Sequence, residues 1–218
     1  MEKVITFIVV IVGWIFSLCL HEFSHAVVAY YGGDTSVKDK GYLTFNPLKY
    51  THPVYSIVLP VVFLLLGGIG LPGGAIYIET WRLRSKRWES AVSLAGPAAN
   101  LVVAVVLAVI LHFAPLTSGG IWPGLAFLAL MQISAVVLNL IPMPPFDGYR
   151  ALAPYLGQEL RARIDQVGGI AVMLAFFVLW YVQAVNTFFW QVVFQISGWL
   201  HVPVLLAIQG FNQFQFWR

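Results

Sequence analysis

The sequence predicts an all-α polytopic membrane protein, and three observations carry that reading. Hydrophobic residues make up 60% of the 218-residue chain and charged residues only 10%, against about 25% charged in a soluble domain. Mean hydropathy is +0.83. The apolar residues gather into about five or six segments near the length of about 20 residues that crosses a hydrocarbon core as a helix. No stretch is polar or long enough for a separate soluble domain. The expectation is one membrane-embedded domain over residues 1–218, with a core over 4–149 and C-terminal helices over 150–218.

Residues 4–31 form the first apolar run. Lys3, the run itself and Ser17 give it the outline of a signal peptide. Glu2 offsets Lys3, however, and the run continues past Ser17 to Tyr31, so an uncleaved first helix is expected. Between the first and second runs, "GYLTFNP" at 41–47 is rich in Tyr, Thr and Phe and ends in Asn-Pro, which predicts a short β element. The second run, 54–71, contains Pro60 and closes in "GGIGLPGG". The third, 91–113, is entered through "SLAGPAAN"; the fourth covers 122–141 and the fifth 169–194. A sixth, 196–210, is short and contains His201 and Pro203, so it reads as interfacial or as a poor span.

The formal charge of +3 is small and the basic residues are scattered. That pattern argues against a nucleic-acid partner and fits membrane topology signals in a lipid bilayer. The single cysteine, Cys19, excludes an internal disulfide and a cysteine-based zinc site.

The first run is interrupted by "HEFSH" at 21–25. Residues four apart share a helix face, so His21 and His25 can address one atom. Two imidazoles at that spacing suit zinc, with Glu22 beside them as a general base. An ionisable residue in mid-membrane costs about 2.5–3.5 kcal/mol, and a Leu, Ile, Val or Phe returns only about 0.3–0.6. Polar groups at that depth therefore read as functional. A catalytic zinc needs a third protein ligand and an open position for water. His52, His112, His201 and Asp147 are the candidates. Asp147 follows the fourth run, where Pro142, Pro144 and Pro145 break the helix. Such backbone is tolerated near membrane depth only where protein or a cavity covers it.

"HEFSH" at 21–25, "SLAGPAAN" at 93–100 and "NLIPMPPFDG" at 139–148 together resemble the site-2 protease family of intramembrane zinc metalloproteases. "LTFNPLKYTHP" at 43–53 is also similar to a stretch found after the first motif in many members. The resemblance runs in order from about residue 4 to 149 and is to the compact form, without added soluble domains. It implies one zinc ion (Zn2+) per chain held by His21, His25 and Asp147, with Glu22 as the catalytic base. It also implies that Asn139 stabilises the reacting carbonyl. The implied activity is hydrolysis of peptide bonds in transmembrane substrate segments, as in regulated intramembrane proteolysis. A membrane helix hides its peptide bonds, so the expected partner is a membrane protein with a locally unwound segment. An extended substrate could add to a strand edge, for which "GYLTFN" is the candidate.

The ligand set constrains topology. If every run crosses simply, Asp147 emerges on the side opposite the end of the first helix, across about 30 Å of hydrocarbon. If 54–71 dips in and returns, the ligands share a side. All Lys and Arg except Lys3 then fall on that side, provided the last run crosses. The positive-inside rule makes this side cytoplasmic and places the site near it in a multi-pass cell-membrane protein.

Overall fold

A computed structural model describes residues 1–46, 49, 76–115, 119–166, 174 and 177–215. The second apolar run, 54–71, and His52 lie outside the described residues. The described residues form helices and turns, with no strand among them.

Helix α1 (Glu2–Gly32) holds 31 residues. At 1.5 Å per residue it is about 46 Å long, enough for the bilayer core and both headgroup layers. It stops at Gly33, whose φ of 121° is open to glycine and closed to most side chains. The Asp34 N–H donates back to the Ala29 carbonyl at 2.9 Å and closes the end. A short helix, α2 (Ser36–Asp39), follows. After a 3₁₀ turn (Thr80–Arg82) come α3 (Lys86–His112) and α4 (Trp122–Asn139). Pro97 sits inside α3 and removes the donor that would bond the Ser93 carbonyl. Next are α5 (Asp147–Leu152), a second 3₁₀ turn (Ala153–Tyr155), α6 (Gln158–Gln166), α7 (Gln183–Trp199) and α8 (Val204–Phe214).

Among the described residues, α1, α3 and α4 are long and apolar enough to cross a membrane. They alternate in direction. The Arg84 N–H donates to the Gly32 carbonyl at 2.9 Å, so α3 starts where α1 ends. Gly124, at the start of α4, lies against Thr6 and Val9 near the start of α1. The end of α4 therefore returns to the end of the bundle where α1 finishes. α1 ends and α3 begins at that same end of the bundle.

The outer surfaces are apolar, as lipid requires. Val4, Ile8, Val12 and Phe16 make an exposed stripe on α1, and Val102, Val105, Val106 and Val109 do so on α3. Inside, α4 is covered on nearly every side by α1, α3, α7 and α8. Val10, Trp14, Leu107, Phe127, Ile133 and Phe214 pack this core. Lipid gives helices no hydrophobic drive to associate, so close packing of small residues and internal hydrogen bonds must hold them. Fully buried Thr6 donates to Gln213 Oε1 at 2.7 Å and joins α1 to α8.

Two expectations are corrected. The β element over 41–47 is absent from its described part: Gly41 is in a turn and 43–45 form bends. Gly41 has φ 74°, the Tyr42 N–H bonds Val37 O, and Thr44 Oγ1 bonds Gly41 O. These short-range bonds use groups that a ladder would need. The fifth and sixth runs are divided differently than hydropathy suggests. Residues 177–181 are helical, Val182 breaks the helix, and α7 continues through position 195 to Trp199. The Asn186 side chain donates to the Leu179 carbonyl at 3.1 Å near the break. Leu200–Pro203 is the true division, with His201 at φ 56°. The sixth run is thus the end of α7 plus the 11-residue α8, too short to cross.

At Gly210 a Cβ would stand 1.9 Å from the Pro123 carbonyl oxygen, so α8 and α4 meet backbone to backbone. Gly210→Ala is expected to destabilise the protein by about 1–3 kcal/mol. Denaturant unfolding in detergent reads this, and an unchanged midpoint would contradict the packing.

Candidate metal centre

α1 places His21 and His25 one turn apart. Their Nε2 atoms are 3.0 Å apart, with the rings nearly perpendicular at 79°. Asp147 opens α5 and brings Oδ2 to 3.3 Å from His21 Nε2 and 3.5 Å from His25 Nε2. All three side chains are buried. Of the candidates for a third ligand, the structure brings Asp147 to the histidines. His112 lies exposed at the far end of α3 against Phe113, and His201 lies exposed in the α7–α8 turn.

The donor set fits zinc. Atoms bound tetrahedrally at about 2.0–2.1 Å stand roughly 3.3 Å from each other, close to the three separations seen here. His25 Nδ1 lies 2.6 Å from the Val92 carbonyl oxygen. A carbonyl only accepts, so Nδ1 carries the proton and Nε2 keeps its lone pair toward the cluster. This is the outer contact that orients a metal-binding histidine.

Local sequence builds the cluster from three directions. After α4 the three prolines prevent helix continuation, and the chain turns through bonds from Met143 N–H to Ile141 O and from Phe146 N–H to Met143 O. Gly148 then sits so close to the end of α4 that a Cβ would be 2.3 Å from the Leu140 carbonyl oxygen. Its lack of a side chain lets Asp147 face α1. On the third side, α3 presents Gly96. A Cβ there would be 2.3 Å from His25 Nε2 and 2.5 Å from His21 Nε2. The "AGP" stretch therefore gives α3 a bare backbone against the ligand atoms.

Glu22 is buried next to His21, and its Oε2 accepts the Ile76 N–H at 3.2 Å. Asn139 is the buried last residue of α4. Asn100, one turn beyond Gly96 on α3, buries an Oδ1 that has no hydrogen-bond partner among the described residues.

Some supporting residues were missed by sequence reasoning. Ser90 Oγ donates to Ala151 O at 2.6 Å, and Arg161 pairs with Glu89 at 2.8 Å. Tyr149 donates its hydroxyl to Asp165 at 2.8 Å. Burial and that carboxylate push the phenol up to about 12, so it remains a donor at physiological pH. These contacts fasten α5 and α6 to the start of α3. Residues 76–84 were also missed. They run past the end of α1 and contact Glu22, Gly32, Asp34 and Lys40. Only Asp34, after the double glycine, offers a local signal, and it reads as a turn residue.

Gly96→Ala is expected to lower zinc affinity at least tenfold by pushing on both imidazoles, with helical content kept. Metal analysis beside circular dichroism tests this; full zinc retention would contradict the close approach of α3.

No family model matches the chain, and no solved structure matches it. Curated relatives do. The chain is 46% identical over 215 residues to "Putative zinc metalloprotease Rip2" of Mycolicibacterium smegmatis, spanning 97% of this chain and 81% of the relative. Identity to the protein of the same name from Mycobacterium tuberculosis is 43% over 213 residues, with the same coverage. "Putative zinc metalloprotease YwhC" of Bacillus subtilis is 32% identical over 178 residues, spanning 75% of this chain and 77% of the relative. With the converging histidines and aspartate in place, this similarity over nearly the whole chain shows that the protein belongs to the zinc metalloproteases of the site-2 protease family.

Proposed function

We propose that the protein hydrolyses peptide bonds of transmembrane substrate segments at a single zinc ion held by His21, His25 and Asp147. The convergence of two buried imidazoles and one buried carboxylate among membrane-length helices carries this reading. When bound, zinc supplies Lewis-acid polarisation of a water and of the scissile carbonyl. Glu22 accepts the proton of the attacking water on its carboxylate as that water adds to the carbonyl carbon. Asn139 donates its side-chain N–H to the carbonyl oxygen as charge develops there. Glu22 then gives the proton to the leaving amine nitrogen, which completes the addition of water across the peptide bond.

The substrate is a membrane protein whose segment unwinds near the cut, because an intact helix engages its own peptide groups. The charge distribution supports a multi-pass arrangement in the cell membrane, with the metal centre nearer the cytoplasm. In this arrangement 54–71 is re-entrant or shallow. Residues 1–218 act as one membrane-embedded metalloprotease domain.

Glu22→Gln is expected to keep zinc while cleavage falls about 100-fold or more. Mass spectrometry of membrane fragments released by wild type and variant gives the comparison. Zinc-dependent cleavage that survives the change would remove Glu22 from the mechanism. Accessibility tags within 114–121 and within 73–88 are expected to report opposite faces of the membrane. Finding both on one face would refute the topology.

A further inference from the structure

Glu22 is a flexible side chain on a helix, and a proton-transfer group must be aimed. Its one described hydrogen-bond donor is a backbone amide from a distant part of the chain, the N–H of buried Ile76. That amide belongs to residues 76–79, a strap that is neither helix nor strand. What fixes the strap determines where the Glu22 carboxylate is held.

The strap is fixed to α1 itself. Asp34 is fully buried just beyond the end of α1, and its own N–H is bonded to Ala29 O. Its Oδ1 accepts from Ser36 N–H at 3.1 Å and Ser36 Oγ at 2.6 Å. Its Oδ2 accepts the Glu79 N–H at 2.8 Å. A buried carboxylate is tolerated because these donors surround it. Lys40 Nζ completes the attachment, bonding Tyr77 O at 3.2 Å, Glu79 Oε1 at 2.8 Å and Ser36 Oγ at 2.9 Å. Arg82 pairs with the other Glu79 oxygen, and Arg84 N–H bonds Gly32 O. Lys40 and Arg82 hold the Glu79 carboxyl below the usual carboxylate range, so it stays charged. Between the Glu79 and Ile76 amides lie three residues, at most about 11 Å of chain. The strap is thus referenced to the helix that carries Glu22, at Glu22 and again past its end.

We propose that Asp34, Lys40 and Glu79 form a clasp that positions Glu22 for proton transfer by holding the Ile76 N–H against Oε2. The proposal rests on the reading of Glu22 as the general base. The three residues touch neither metal ligands nor reacting atoms; they act through the strap. The bond to Oε2 leaves Oε1 for the reacting proton. A clasp that only supported the fold would affect stability or metal binding, whereas a positioning clasp acts on turnover.

The test uses the full zinc-loaded chain in detergent, with fluorescein-labelled casein as an unfolded substrate, and hydrogen exchange of the Ile76 amide as a readout independent of activity. Asp34→Asn is isosteric but replaces one of the two acceptor oxygens by an N–H donor, so the amide cannot accept from both the Ser36 and the Glu79 backbone N–H groups. It is expected to speed Ile76 exchange at least tenfold and to lower kcat about tenfold, with KM and zinc content unchanged. Lys40→Ala is expected to act in the same direction, and Lys40→Arg to restore most of kcat. Faster Ile76 exchange with unchanged kcat would overturn the proposal. A raised KM at constant kcat would make the strap a substrate wall, and a raised kcat/KM would make it a lid; either result also overturns it. Unchanged Ile76 exchange in Asp34→Asn overturns the clasp even if casein is not cut. Cleavage by Glu22→Gln, by contrast, sinks the reading of the base and leaves the exchange result standing.

Discussion

The structure depends on bringing one carboxylate to two imidazoles inside an apolar bundle. His21 and His25 come from the later half of α1, and Asp147 comes from the turn after α4. A charged or polar group in lipid must find partners there. The helices are arranged so that it does. α1 and α4 finish at the same end, and α3 starts there between them. Had α4 finished at the opposite end, the thickness of the bilayer would separate the ligands.

Close approach is built by residues that lack something. Gly96 lacks the atom that would strike both histidines, and Gly148 lacks the one that would strike the Leu140 carbonyl. The prolines after α4 lack the N–H groups that would continue the helix. Tyr149, Ser90 and the Arg161–Glu89 pair then fix α5 against α3 from outside. The three candidate ligands are held by packed helices and by the short turn they enclose. That suits a site where a small displacement of a ligand would lose the ion.

Much of this could be read in the sequence, for a physical reason. "HEFSH" declares itself because helical period alone puts its histidines on one face, and because polar residues in lipid are costly. Asp147 stood out by its place in a proline break. The separations between elements were not readable. The strap at Ile76 and its bonds to Asp34 and Lys40 join residues far apart in the chain, with no periodic pattern to expose them. "GYLTFN" misled because Tyr, Thr and Phe favour strands, while Gly41 and the Thr44 hydroxyl direct the backbone into turns. The α7–α8 division misled because hydropathy registers the apolar character of 196–210 but not the backbone break at Leu200–Pro203.

The most direct test of the central claim is X-ray absorption at the zinc edge on the purified full chain, with His21→Ala, His25→Ala and Asp147→Ala beside it. The account requires one zinc per chain with two imidazole nitrogens and a carboxylate oxygen at about 2.0–2.2 Å. One such scatterer should be lost in each variant that still retains metal. A zinc shell with no imidazole contribution, or one unaltered by all three changes, would contradict it.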